Sequence, residues 1–182
     1  MGREAQRSTA PLSSARTAPS LVALDVDIHR ELVTRFAERQ AEKRYLALVW
    51  GHPRPATGSW EARLGPDKKD RRRMKVDPEG RPALSEFRTL AKAAHVALLE
   101  LTPRTGRTHQ LRVHLAAAGH PLVGDPLYAS GGLPRADAPG LPGDGGYFLH
   151  AAELSFRHPA TGALLTLRAP PPPELCTAAE RS

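Results

Sequence analysis

Two arginines and two histidines crowd into Arg107-Thr108-His109-Gln110-Leu111-Arg112-Val113-His114. A guanidinium fork holds planar anions such as carboxylate or phosphate through paired N–H donors, and an imidazole moves protons near neutral pH or ligates a metal. His109 and His114 are too far apart in sequence to be helical neighbours, and no His-x-x-x-His pattern with a glutamate accompanies them. Zinc is therefore not expected. A Ser-His-Asp hydrolase would need a Gly-x-Ser-x-Gly elbow, which is absent, and Gly124-Asp125-Pro126 reads as a turn. No glycine-rich phosphate loop ending in Lys-Ser/Thr occurs either. The chemistry left is recognition of a phosphate, a carboxylate or the polar edge of a base.

These residues need a scaffold. A strand-like run from Val96 to Leu101 stops at Pro103, a glycine turn follows, and Thr108 is placed to cap a helix whose apolar positions are Leu111, Leu115 and Ala118. Helix starts attract anions, and Arg107 and Arg112 would strengthen that preference. Gly119-His120-Pro121 ends the helix. Upstream, residues 1–19 are rich in Ser, Thr, Ala, Pro and Arg and are expected to be disordered. Leu21 to Leu24 suits a buried strand. Asp25 and Asp27 offer a cap for a helix with Ile28, Leu32, Val33 and Phe36 at helical spacing through about Arg39.

Lys43 to Trp50 is apolar on both faces, with Tyr45, Ala47 and Val49 on one and Leu46, Leu48 and Trp50 on the other, which predicts a central strand. Gly51-His52-Pro53 turns the chain, and Trp60, Ala62 and Leu64 mark a further strand, as do Leu84 to Leu90 and Val96 to Thr102. Ser130 to Gly146 reads as a flexible loop, and Tyr147–Phe156 should pair with Ala163–Ala169 as a hairpin. Pro170 to Pro173 stops the fold, giving a domain over 20–173 and a tail over 174–182.

The length of 182 residues suits one domain, and 40% apolar residues supply it with a core. A formal charge of +7 favours a polyanionic partner. Between Gly65 and Pro82 the sequence carries Lys68, Lys69, Arg71, Arg72, Arg73 and Lys75, a density that suits a solvated loop or salt-sensitive contacts to a nucleic-acid backbone. Cys176 is the single cysteine, so no disulfide framework is expected. No apolar run reaches the ~18–20 residues that span a bilayer, and the start of the chain has no apolar signal core. A soluble, cytoplasmic monomer without membrane contact is the expectation.

Five stretches together resemble the RluA-type RNA pseudouridine synthases. They are Lys43-Arg44-Tyr45-Leu46-Ala47, Val49-Trp50-Gly51-His52-Pro53, Gly106 to His114, Gly119-His120-Pro121-Leu122-Val123-Gly124-Asp125-Pro126-Leu127-Tyr128, and Leu149-His150-Ala151. The Trp50-Gly51-His52-Pro53 stretch looks like the branch that acts on ribosomal RNA and some transfer RNA. The resemblance implies an α+β pseudouridine synthase fold, a mixed and mostly antiparallel sheet with flanking helices. It implies isomerisation of uridine to pseudouridine in ribosomal or transfer RNA, without a cofactor, on a uridine flipped out of the RNA. Carried over residue by residue, Tyr45 matches the tyrosine that stacks on the base, and Arg112 matches the arginine that pairs with the catalytic aspartate. Leu149 resembles the residue lining the uracil pocket, and Arg107, Thr108 and His109 fall in the substrate-binding motif.

The family's His-Arg-Leu-Asp-x-x-Thr-Ser-Gly motif has no counterpart. A gapless continuation from Tyr45 puts its aspartate at about Ser13, and no aspartate occurs before Asp25. The expectation is therefore an N-terminally incomplete member of the family, truncated or frame-shifted, whose alternative reading is a catalytically inactive remnant that still binds RNA.

Overall fold

The computed structural model describes residues 25–38, 40–128 and 147–177. The expectations for residues 1–24 and for the loop over Ser130–Gly146 lie outside them.

The first described element is helix α1 (Val26–Ala37). Asp25 caps it as its sequence predicts: Oδ1 accepts from the backbone N–H groups of Asp27 (2.8 Å) and Ile28 (3.0 Å). Of the apolar stripe, Leu32 is buried and Phe36 packs against Phe156 with ring centroids 6.0 Å apart. Val33 is exposed, so the stripe is narrower than helical spacing suggested.

The strands are β1 (Ala41–Trp50), β2 (Thr57–Pro66), β3 (Met74–Val76), β4 (Arg81–Lys92), β5 (Val96–Pro103), β6 (Leu149–Arg157) and β7 (Leu164–Arg168). They form one sheet in the order β3-β2-β4-β5-β1-β6-β7. Each pairing between these strands is antiparallel. β1 lies between β5 and β6, where its two apolar faces require it to be. Tyr45 sits opposite Leu101 on one side and Ala151 on the other, beside a bulge at Arg44/Tyr45. Such a bulge re-aims the side chains next to it.

Helix α2 (Gln110–Ala117) covers the β1 face that carries Ala47 and Val49. Leu111 and Leu115 pack there with Leu99, Leu101 and Leu122. Its other side meets Leu64, Ala83, Leu127 and Tyr128 through Val113 and Ala116. A helix buried on nearly every side owes its place to packing, since burial of one large apolar side chain contributes about 1.5–3 kcal/mol. Across the sheet, Leu46, Leu98 and Ala152 enclose Leu175. Leu175 belongs to a 3-10 turn, Pro173–Leu175, and is fully buried, so the fold runs past the tail boundary expected at 174.

Thr108 does not cap α2. The N-cap is His109, in the left-handed region at φ 53°, with no side-chain cap bond of its own. The Gln110 side chain organises the entry instead. Its Oε1 accepts from the Thr105 hydroxyl (2.7 Å) and the Arg107 N–H (3.0 Å), while Nε2 donates to the Leu84 carbonyl (2.9 Å) and Ser85 Oγ (3.0 Å). All four positions of the amide are used, which fixes the loop 104–109 to strand β4.

Candidate functional site

The turn 104–109, the start of α2, and strands β1 and β6 enclose a cavity of about 240 Å³. Tyr45 comes from β1, Arg107 and His109 from the turn, Arg112 from α2, Leu149 from β6, and Tyr147 from the segment before it. The Tyr45 phenol is raised above its ordinary value by burial and stays protonated, so it offers a hydrogen at neutral pH. The volume lies below the ~300 Å³ at which pockets for drug-sized ligands begin, and suits a single planar heterocycle.

One wall of the cavity belongs to a buried ion pair. Arg112 Nε and Nη2 donate to Asp125 Oδ2 (2.8 Å) and Oδ1 (2.7 Å), with side chains only 3% and 1% exposed. Burial works against the charged guanidinium, and the Asp125 carboxylate overcomes it, holding Arg112 above its ordinary value. Asp125 is also the hub of a turn: its Oδ1 accepts from the N–H groups of Leu127 (2.9 Å) and Tyr128 (3.2 Å). The Arg112 guanidinium carbon stands 4.5 Å from the Tyr147 ring centroid and 4.9 Å from that of Tyr128.

Tyr128 ties this pair to the turn. Its hydroxyl accepts from Met74 N–H (2.9 Å) and is in hydrogen-bond contact with His109 Nδ1 (2.9 Å). Burial, reinforced by the Arg112 charge, lowers the His109 pKa and keeps the ring neutral at pH 7. Further along α2, His114 is buried against Ser85 Oγ (3.0 Å), and burial lowers its pKa to about 4.

The residues singled out in the sequence divide clearly. Tyr45, Arg107, His109, Arg112 and Leu149 line one cavity. Thr108 is exposed and lines a neighbouring one together with Lys68. Lys69 and Arg71 are exposed, Arg72 pairs with Asp70 (2.7 Å), and Lys75 lies 3.4 Å from Asp77. Arg73 corrects the reading of the basic run as a uniformly solvated loop. It is 5% exposed, its Nη1 donates to Asp67 (3.0 Å), and its guanidinium stacks over Tyr128 at 5.4 Å. A side chain enclosed in this way has no free face for a phosphate.

Sequence reasoning did not find Asp125, Tyr128, Tyr147 or Gln110 as parts of the site. Asp125 and Tyr128 stand in a quoted motif, but only as a turn; what joins them to Arg112 is tertiary. No aspartate or glutamate lines the cavity among the described residues.

An antiparallel sheet thus carries a cavity the size of one planar heterocycle, lined by a buried arginine and further basic side chains. Comparison with known proteins is specific about the family. The family model for RNA pseudouridylate synthase matches residues 20–117. "Dual-specificity RNA pseudouridine synthase RluA" of Escherichia coli strain K12 is 44% identical over 161 residues, 87% of this chain and 70% of that one. An "Uncharacterized RNA pseudouridine synthase" of Chloroflexus aurantiacus is 44% identical over 146 residues, 80% of this chain and 44% of that one. The structure of Human RNA Pseudouridylate Synthase Domain Containing 1 superposes with a TM-score of 0.67 at 30% identity. That match covers 84% of this chain and 64% of the human one, so the chain spans just under two thirds of its length. The chain belongs to the RNA pseudouridylate synthase family.

Proposed function

We propose that this protein takes a single uridine of a ribosomal or transfer RNA into the Tyr45–Arg112 cavity and isomerises it to pseudouridine. The observation that carries the reading is the convergence of Tyr45, Arg112, Arg107, His109 and Leu149 on one base-sized cavity from four separate segments of the chain. A base inside a helix is stacked and paired, so it reaches this cavity only once flipped out.

In the reaction the C1′–N1 bond breaks, the detached uracil turns, and a C1′–C5 bond forms. C5 gives up its proton and N1 gains one, so atoms balance without a cofactor. Tyr45 supplies an aromatic face for the uracil and a protonated phenol beside the proton transfers. Arg107 offers a guanidinium fork at the rim for the phosphate, and Leu149 closes the apolar side. Arg112, locked on Asp125 in a neutralised ion pair, is the member of that pair that lines the cavity, and its guanidinium is placed for the uracil that leaves C1′ with the electrons of the broken bond.

A second reading, uridine binding without turnover, is favoured by the cavity lining, which holds no carboxylate among the described residues. One experiment separates the two. The full chain is mixed with ribosomal and transfer RNA tritiated at uridine C5, and both tritium release and RNA binding are followed. Release that Tyr45→Ala abolishes supports isomerisation. Tyr45-dependent binding without release supports the second reading, and RNA binding indifferent to Tyr45 contradicts both.

A further inference from the structure

Beside the uridine cavity lies a second, larger one of about 590 Å³, within the size range of small-ligand sites. Gly106 and Arg107 line both. It is lined by the apolar side chains of Leu64, Pro66 and Met74 and by the charged ones of Lys68, Arg81, Asp77 and Glu79. Apolar surface beside charge of both signs fits a flat heterocycle attached to a phosphate.

Arg107 is the partition. Its Nε donates to the Pro82 carbonyl (3.1 Å), which lays the side chain along β4 and leaves the terminal guanidinium nitrogens for a ligand. Two groups held on either side of an arginine, with a phosphate bound to that arginine, describe two consecutive nucleotides. A β-carbon placed on Gly106 would meet only Lys43 Nζ, at 4.0 Å, so the strip between the cavities is open.

The carboxylates narrow the choice of base. Negative charge in a groove that receives RNA repels phosphate, so it is useful only where a hydrogen-bond donor arrives. Asp77 is committed to the turn, since its Oδ1 accepts from Glu79 N–H (3.1 Å) and its Oδ2 faces Lys75 (3.4 Å). Glu79 is exposed on that turn, and Gly80 behind it is packed against the Leu64 backbone. A carboxylate accepts from the exocyclic amine of cytosine and by the same chemistry from that of adenine or guanine, whereas uracil has no amine to give.

Building on the uridine reading above, we propose that this second cavity is a subsite for one nucleotide adjacent to the target uridine. Glu79 accepts from the amino group of its base, Lys68 and Arg81 neutralise its outer phosphate, and Arg107 holds the phosphate between the two nucleotides. The subsite selects sequence context rather than the reacting base.

The test uses the full chain and hexanucleotide RNAs with one uridine, flanked by cytidine or by an abasic residue on either side, with affinity read by fluorescence anisotropy. Removing the base on one side weakens binding about tenfold, the worth of one hydrogen bond to a charged group. In Glu79→Ala/Arg81→Ala, a surface double variant checked for an unchanged melting temperature, that difference shrinks to within about twofold. A wild type indifferent to both abasic substitutions, or a double variant that keeps the difference, overturns the subsite. In either case a loss of affinity in Tyr45→Ala shows that the uridine reading survives; affinity untouched by Tyr45→Ala removes both.

Discussion

Helix α2 and the loop over 67–73 carry the same kind of residue to opposite ends. In α2 the guanidinium of Arg112 is enclosed, held bidentately by Asp125, and laid between two tyrosines. In the loop Lys69 and Arg71 face water, and Arg72 makes an exposed pair with its near neighbour Asp70. Arg73 is the exception that joins the two regions. It lies over Tyr128, whose ring also contacts Arg112 and whose hydroxyl reaches His109. Positive charge in this molecule therefore has two functions: it builds the cavity wall where aromatic rings and a buried carboxylate enclose it, and it meets solvent elsewhere. Clustering in sequence does not distinguish them; the presence of a tertiary partner does.

The enclosed side depends most on Asp125. Asp125→Ala leaves Arg112 buried without its carboxylate and should cost about 3–5 kcal/mol of stability, read as a shift in urea unfolding. A loss as small as that of a surface pair would remove the distinction between the two regions.

Acid probes the same enclosed side more gently. Burial takes His114 from the ordinary 6.5 to about 4. Below pH 6.5 the unfolded chain thus binds a proton that the folded chain refuses, and stability present above that pH is lost as pH falls toward 4. The full loss is about 3–4 kcal/mol, and His114→Gln should flatten that part of the pH profile. A variant as acid-sensitive as the wild type would place the titration elsewhere.

The solvated side should respond least. Lys69→Ala and Arg71→Ala should each change stability by less than about 0.5 kcal/mol. If these side chains meet phosphates, each also lowers the salt slope of RNA binding by about 1. Arg73→Ala should do the reverse, lowering the unfolding midpoint through its lost contacts with Asp67 and Tyr128.

Much of the scaffold was legible because it follows local rules. Two-sided apolar alternation put Lys43–Trp50 inside the sheet, and Asp25 announced the start of α1. Where a local rule offered a plausible answer, tertiary structure overrode it. Thr108 satisfies the capping preference, yet the loop is fixed by Gln110 because Leu84, Ser85 and Thr105 surround its amide. Asp125 reads as a turn residue and is one; its second function depends on Arg112, which lies on another element. Leu175 follows a run of prolines that reads as an ending, and is buried because Leu46, Leu98 and Ala152 leave a gap on the far face of the sheet. Tyr45 and Arg112 were legible as a pair only through the motifs around them, and their shared cavity is a property of the fold.

The most direct measurement uses an RNA in which the single uridine is 4-thiouridine, irradiated in complex with the full chain, with the cross-linked peptides located by mass spectrometry. Attachment is expected within the segments bearing Tyr45, Tyr147 and Leu149, and is lost in Tyr45→Ala. Attachment confined to the 67–73 loop, or spread evenly over the basic surface, would contradict the placement of the uridine in that cavity.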